Sequence, residues 1–228
     1  ERIFNAYDKR FSRFKNDSEL MRLNNSDGKP TAVSLEMFQI IKKCYNLAQE
    51  TAGIFDPSVG SILASYNYGL PENYTLPPRP PTFRDIIFNN RELEITLAPM
   101  QILEPAGIVK GIAIDAASEA FNGITGYMIN AGGDILTHGK YINDQLWNIA
   151  IQDPHNAKAV VTALKIQNLS IATSGVYQTS GVKDGKAWHH LVNMETSKPT
   201  HDILSATVIA STAEQADTEA SLVILLGI

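Results

Sequence analysis

From residue 126 to residue 210 the sequence runs in short β-branched or alternating segments parted by clusters of turn formers. This pattern constrains the fold more than any other feature. "GYMINAG", "LWNIAIQ", "AVVTALKI" and "SATVIA" each read as a strand. Strands joined through short turns pair antiparallel. Helical patterns flank the set. "GIVKGIAIDAASEAFNG" (107–123) is apolar at Ile112, Ala116 and Ala120 and closes on Gly123. "STAEQADTEASLVILL" (211–226) opens with Thr212 and Gln215 spaced as a capping box. Residues 34–52 form a further amphipathic helix, with Ser34 as N-cap and Gly53 where a left-handed C-cap belongs. The stretch 53–69, "GIFDPSVGSILASYNYG", is rich in turn formers, and the proline-rich 70–82 reads as a surface loop between core-like flanks. These elements predict one α+β domain over 1–228, a mostly antiparallel sheet with flanking helices.

A chain of 228 residues can bury a proper core. Its net charge of −5 and the lack of any Lys/Arg run exclude a general nucleic-acid binder. The single cysteine, Cys44, falls on a helical stripe with Met37, Ile41 and Ala48 and reads as a small buried hydrophobe. No apolar run is long enough to span a membrane. The sequence starts without Met, signal pattern or lipid-acceptor Cys and stops inside an apolar helical run. A chain trimmed at one or both ends is therefore expected, with no localisation signal of its own.

Several residues could carry chemistry. Asp217 and Ser221 are four apart on one helix face, where a carboxylate and a hydroxyl can offer oxygen to a hard cation such as Mg²⁺. On its own this signal is weak, and a solvated acid beside a packed serine also explains the pair. In "EPAGIVKG", Lys110 lies in the first turn of a helix that begins after Gly107, a poor place for a cation unless an anion sits there too. An exposed surface lysine is the alternative. Gly132 and Gly133 interrupt "MINAGGDIL" and mark either a bulge or close backbone approach to a ligand, with Asp134 bonding that ligand or its own turn. "IATSGVY" places Thr173 and Ser174 after a strand end, suited to phosphate or ribose contact or to a plain turn. His189 and His190 stand side by side on a strand and point to opposite faces. No zinc, P-loop, nucleophile-elbow or dinucleotide pattern is present.

Taken in order, "FSRFKNDSELMRLN", "TAGIFDPSVG", "GIVKGIAIDAA", "INAGGDI", "WNIAIQDP", "IATSGVY", "HHLVN", "SATVIA" and "TAEQADTEAS" resemble the ApbE family of flavin transferases, over about residue 7 to the end. The resemblance implies an ApbE/T-fold-like architecture. It implies Mg²⁺-dependent transfer of FMN from FAD, through a phosphoester, to a Thr or Ser hydroxyl of an acceptor protein, with AMP leaving. FAD is then a substrate. It further implies residence in the bacterial cell envelope or periplasm, with any lipid anchor lying outside this chain. By the same resemblance the metal ligands fall on Asp217, Ser221 and Gly107. Glu104, usually Asp in the family, faces the flavin nucleotide, and Lys110 contacts FAD. Tyr66, Asn67 and Tyr68 line the nucleotide pocket. Asn130, Asp134, Thr173, Ser174, His190 and Leu191 complete the flavin-binding set, and His190 assists proton transfer.

The chain departs from the family at Asn193–Ser197, where an acid, a Pro and a Thr-Gly are usual, and at Ser221, usually Thr. A Met-Gly-Thr segment that normally precedes the matched region is absent, as a trimmed chain would show. Two rivals stay open: an Mg²⁺-dependent FAD pyrophosphatase giving FMN and AMP, and a non-catalytic FAD-binding protein, which the altered 193–197 segment favours.

Overall fold

A computed structural model describes residues 1–69, 71–177, 179–183, 185–200 and 202–228. In chain order the elements are α1 (Arg2–Phe11), α2 (Glu19–Asn24), β1 (Thr31–Ala32), α3 (Leu35–Glu50), α4 (Val59–Ser65), β2 (Ile87–Asn89), β3 (Glu94–Thr96) and α5 (Ala106–Glu119). There follow β4 (Gly126–Ala131), β5 (Asp134–Gly139), β6 (Trp147–Asp153), β7 (Asn156–Ile166), β8 (Ser170–Gly175), β9 (Ser180–Lys183), β10 (Lys186–His189), β11 (Val192–Asn193), β12 (Lys198–Pro199), β13 (Ser205–Ala210) and α6 (Ala213–Leu226). Every strand pairing among the described residues is antiparallel, so the expected α+β class holds. The chain divides into two compact units, Glu1–Val109 with Ser180–Thr200, and Lys110–Thr179 with His201–Ile228, the division falling within α5.

In the first unit, Ser34 caps α3 as predicted, its hydroxyl accepting the Met37 N–H at 3.2 Å. The helix buries Met37, Ile41, Cys44 and Ala48, the predicted stripe. Its C-terminus is a Schellman motif: Gly53 N–H reaches Ala48 O at 2.7 Å and Ala52 N–H reaches Gln49 O at 3.2 Å. The first left-handed residue is thus Ala52, one position before the predicted glycine. The turn-rich stretch 53–69 contains a helix, α4, that turn propensity hid. Ser58, Gly60 and Ser61 read as turn formers, yet all are buried, and Ile102 N–H bonds the Ser61 hydroxyl at 2.9 Å. The proline-rich segment carries no helix or strand among its described residues. Its Leu70 lies outside them, and its Leu76 packs on Ile62, Leu63 and Val192.

The second unit holds a four-stranded sheet of order β13-β8-β5-β4 and the hairpin β6-β7. Ile135, Ile149, Ile166 and Ile171 form one buried cluster. Here the reading of "NAGGD" is corrected. Gly132 and Gly133 lie not inside a strand but in the two-residue turn between β4 and β5, where Ala131 pairs with Asp134. Their φ values of +66° and +102° are those a two-residue hairpin of this hand demands. Asn130 Oδ1 accepts the Gly133 N–H at 3.0 Å and fixes the turn. The Thr173–Ser174 pair is also corrected: it lies within β8, opposite Thr207 and Ala206, rather than in a turn after it. On α5 the described burial falls on Ile108, Val109, Ala113, Ile114 and Ala117, not on the predicted stripe of Ile112, Ala116 and Ala120. No described helix is long and apolar enough to cross a membrane.

Candidate functional site

Helix α6 starts where its sequence says. Thr212 is the N-cap and its hydroxyl accepts the Gln215 N–H at 3.2 Å. The Gln215 side chain does not close the box. It donates to Glu219 Oε1 at 2.8 Å and accepts from Ser211. One and two turns on, Asp217 and Ser221 share a face, only 6 % and 7 % exposed. Asp217 Oδ2 is buried and has no hydrogen-bond partner among the described residues. Burial pushes the Asp217 pKa up to about 7; Lys110 opposes the shift, the Asp134 carboxylate adds to it, and a bond from the Gly111 N–H lowers it. The Ser221 hydroxyl shares a 2.9 Å hydrogen bond with that of Ser174 on β8.

Lys110 stands on α5 in the same unit, and its ammonium pairs with Asp134 Oδ2. Asp134 is the first residue of β5, only 2 % exposed, delivered there by the glycine turn. The Lys110 side chain is exposed; partial desolvation of its ammonium works against the charge, but the carboxylates of Asp217 and Asp134 together hold its pKa above the ordinary value. The second unit thus brings Lys110, Asp134, Asp217, Ser174 and Ser221 together. Two buried carboxylates face one ammonium, which leaves the cluster short of positive charge. Thr173, its side chain on the other face of β8, is not part of this cluster. Its hydroxyl pairs with that of Thr207 at 2.8 Å. Asn130 lines an open groove of about 530 Å³ with Met128, Ile135, Tyr141 and Trp147.

The remaining predicted residues belong to the first unit. Tyr66 is the C-cap of α4, and its ring stacks on Trp188 with centroids 5.6 Å apart and planes at 15°. Tyr68 meets the same indole at 5.5 Å, and Asn67 between them is left-handed at φ +61°. Glu104 pairs with the buried Arg13, and its Oε1 accepts the Ala106 N–H at 3.1 Å. Burial pushes the Glu104 carboxyl up and the Arg13 guanidinium down, each resisted by the other's charge. Arg13 also donates to the Tyr68 carbonyl and lies 5.0 Å from the centre of the Tyr68 ring. Gly107 is the second residue of α5, and a Cβ there would meet the Phe55 ring at 3.2 Å. His190 follows β10 and is half-buried. His189 is buried, with Nε2 against the Thr200 carbonyl, and Leu191 is buried.

The altered 193–197 segment forms an ordered turn. Val192 pairs with Pro199 and Asn193 with Lys198, and Asn193 Oδ1 accepts the Thr196 N–H at 3.0 Å. Ser197, in that turn, adopts φ +55°.

Sequence reasoning missed Arg13, Asp115 and Trp188. Arg13 and Asp115 carried a faint signal, each being a charged residue among apolar or small neighbours ("FSRF", "GIAIDAA"), and Trp188 is one of only two tryptophans. Asp115 accepts from the N–H groups of Ala213 and Glu214 at 2.8 and 2.9 Å.

A hard divalent cation suits the second-unit cluster. The orphaned Asp217 oxygen and the Ser221 hydroxyl are oxygen donors one helical turn apart, and a positive charge there would relieve the burial of Asp217. Among the described residues no group of three or more His, Cys, Asp and Glu could hold a metal. A set of one carboxylate, one hydroxyl and one carbonyl would not form such a group.

The sequence model of the ApbE family matches residues 1–228. A FAD:protein FMN transferase of Haemophilus influenzae is 26% identical over 246 residues, covering all of this chain and 71% of the relative. One of Salmonella typhimurium is 30% identical, covering 90% of this chain and 64% of the relative. Among solved structures, an ApbE protein of Thermotoga maritima superposes with a TM-score of 0.88 at 25% identity, over 99% of this chain and 76% of that one. The flavin transferase ApbE of Vibrio cholerae superposes at 0.80 and 25% identity, over 99% and 76%.

Proposed function

Because this chain belongs to the ApbE family along its whole length, we propose that it transfers FMN from FAD to an acceptor protein, as the names of its relatives describe. The acceptor group is a Thr or Ser hydroxyl, the new bond a phosphoester and the leaving group AMP. The family match runs unbroken across both units, which supports reading 1–228 as one flavin transferase domain. Residence in the bacterial cell envelope, with any lipid anchor outside this chain, is part of the same reading.

The observation that carries the proposal is the buried, orphaned oxygen of Asp217 beside Lys110 and Ser221. Asp217 and Ser221 would hold Mg²⁺. When bound, the ion neutralises diphosphate charge and makes the phosphorus more electrophilic. Lys110 supplies a fixed cation for the diphosphate of FAD, held by Asp134 so that it is oriented before substrate arrives. Tyr66, Asn67, Tyr68, Glu104 and Leu191 of the first unit, and Asn130, Asp134, Thr173 and Ser174 of the second, are the residues that the family resemblance assigns to the dinucleotide. The acceptor oxygen bonds to the FMN phosphorus as the bond to the bridging oxygen breaks. That oxygen leaves on AMP, and His190, an imidazole able to take a proton near neutral pH, removes the hydroxyl proton. Transfer of this kind needs positioning and charge neutralisation rather than a protein nucleophile.

The ordered 193–197 turn supports transfer over the non-catalytic binder. Mass analysis after incubation with FAD and Mg²⁺, with and without an acceptor domain, tests the rest. The transferase yields acceptor carrying FMN and an equal amount of AMP. Free FMN with an unmodified acceptor would make it a pyrophosphatase.

A further inference from the structure

Helix α6 must be held at a set distance from Lys110 for Asp217 and Ser221 to act with it. Its first turn meets α5 at two points, both within the second unit. At the first, a Cβ on Gly111 would lie 2.4 Å from Glu214 Cα and 2.6 Å from the Ala213 carbonyl oxygen, so the two backbones are in contact and only glycine fits. At the second, one turn on, both oxygens of Asp115 are used: Oδ1 accepts the Ala213 N–H at 2.8 Å and Oδ2 the Glu214 N–H at 2.9 Å. These are the first two N–H groups of α6, which have no partner inside the helix and which Thr212, bonded to Gln215, leaves unmet. A carboxylate there also faces the positive end of the helix dipole.

We propose that Asp115 is a positioning residue for the metal site: its two-pronged bond to the start of α6 fixes that helix against α5 and sets the spacing of Asp217 and Ser221 from Lys110. Asp115 touches neither ion nor substrate. Three and four residues separate the clamped N–H groups from Asp217, so an axial slip or rotation of the first turn is passed directly to the ligand. An Asn at 115 keeps one acceptor and should hold the helix in part. An Ala keeps none.

The inference rests on the metal-site reading, and isothermal titration of the metal-free full chain with Mg²⁺ alone separates the two. Asp217→Ala should abolish binding. Asp115→Ala should weaken it about tenfold or more, the range seen when outer partners of metal ligands are removed, and Asp115→Asn should fall between. If Asp115→Ala does not fold, weakened binding by Asp115→Asn supports the inference and wild-type binding overturns it. Ser34→Ala, which removes the cap of a helix in the other unit, controls for lost stability: its Tm should fall with Mg²⁺ affinity unchanged. Wild-type affinity in Asp115→Ala, with loss in Asp217→Ala, would overturn this inference alone. Wild-type affinity in Asp217→Ala would overturn both it and the site.

Discussion

The hydroxyls of Ser174 and Ser221 share a 2.9 Å hydrogen bond that ties the ligand-bearing face of α6 to the sheet strand β8. A hydroxyl has one proton and two lone pairs, so Ser221 can donate to Ser174 and still offer oxygen to a cation. Ser221→Ala, which removes a ligand oxygen, should therefore abolish most Mg²⁺ binding, whereas Ser174→Ala, which removes only that ligand's partner, should lower affinity about tenfold. Titration calorimetry of the two variants checks the order. Equal losses would make the pair a structural tie.

Lys110 is the ammonium that balances Asp134 and Asp217. Lys110→Met keeps the stem of the side chain and removes the charge. FAD affinity, followed by flavin fluorescence, should fall about tenfold or more. An unchanged dissociation constant would remove Lys110 from the diphosphate site.

Asp217 gives the metal-free protein a pH dependence whose sign follows from its pKa. Unfolded, the carboxyl ionises near 3.8; folded, near 7. The native state thus holds the proton more tightly. The resulting stability is complete below about pH 4 and is lost as pH rises through about 7, a change of up to roughly 4 kcal/mol. Urea unfolding in EDTA at pH 5 and pH 8 should show a larger loss for the wild type than for Asp217→Asn, and added Mg²⁺ should restore stability at pH 8. Identical slopes in the two proteins would contradict the burial of an ionising Asp217.

Ser197 sits at φ +55°, a conformation that favours glycine. Ser197→Gly should raise stability by up to about 1 kcal/mol, seen as a higher Tm, while leaving FAD affinity unchanged. A lower Tm would show that the serine side chain is needed for the turn.

Much of this was legible in the sequence, and the failures have physical reasons. The caps at Ser34 and Thr212 were readable because a capping hydroxyl acts on its own next turn. The Asp217–Ser221 pair was readable because helical spacing alone puts both on one face. Gly132–Gly133 was misplaced because a strand broken by two glycines and two strands joined by them look alike until the pairing of Ala131 with Asp134 is seen. Helix α4 was hidden because Ser58, Gly60 and Ser61 favour turns locally, and buried packing overrode them. Arg13 and Asp115 were missed because their partners, Glu104 and the start of α6, are distant in the sequence. Trp188 was passed over for its histidine neighbours, although its ring is the one that covers Tyr66.

The proposed metal-dependent FMN transfer stands or falls on Asp217. The most direct measurement follows AMP release and acceptor mass for wild type and Asp217→Ala, given FAD, Mg²⁺ and an acceptor domain, with circular dichroism to confirm folding. The predicted result is a flavinylated acceptor and stoichiometric AMP from the wild type, and neither from a folded Asp217→Ala. Undiminished transfer by Asp217→Ala would contradict it.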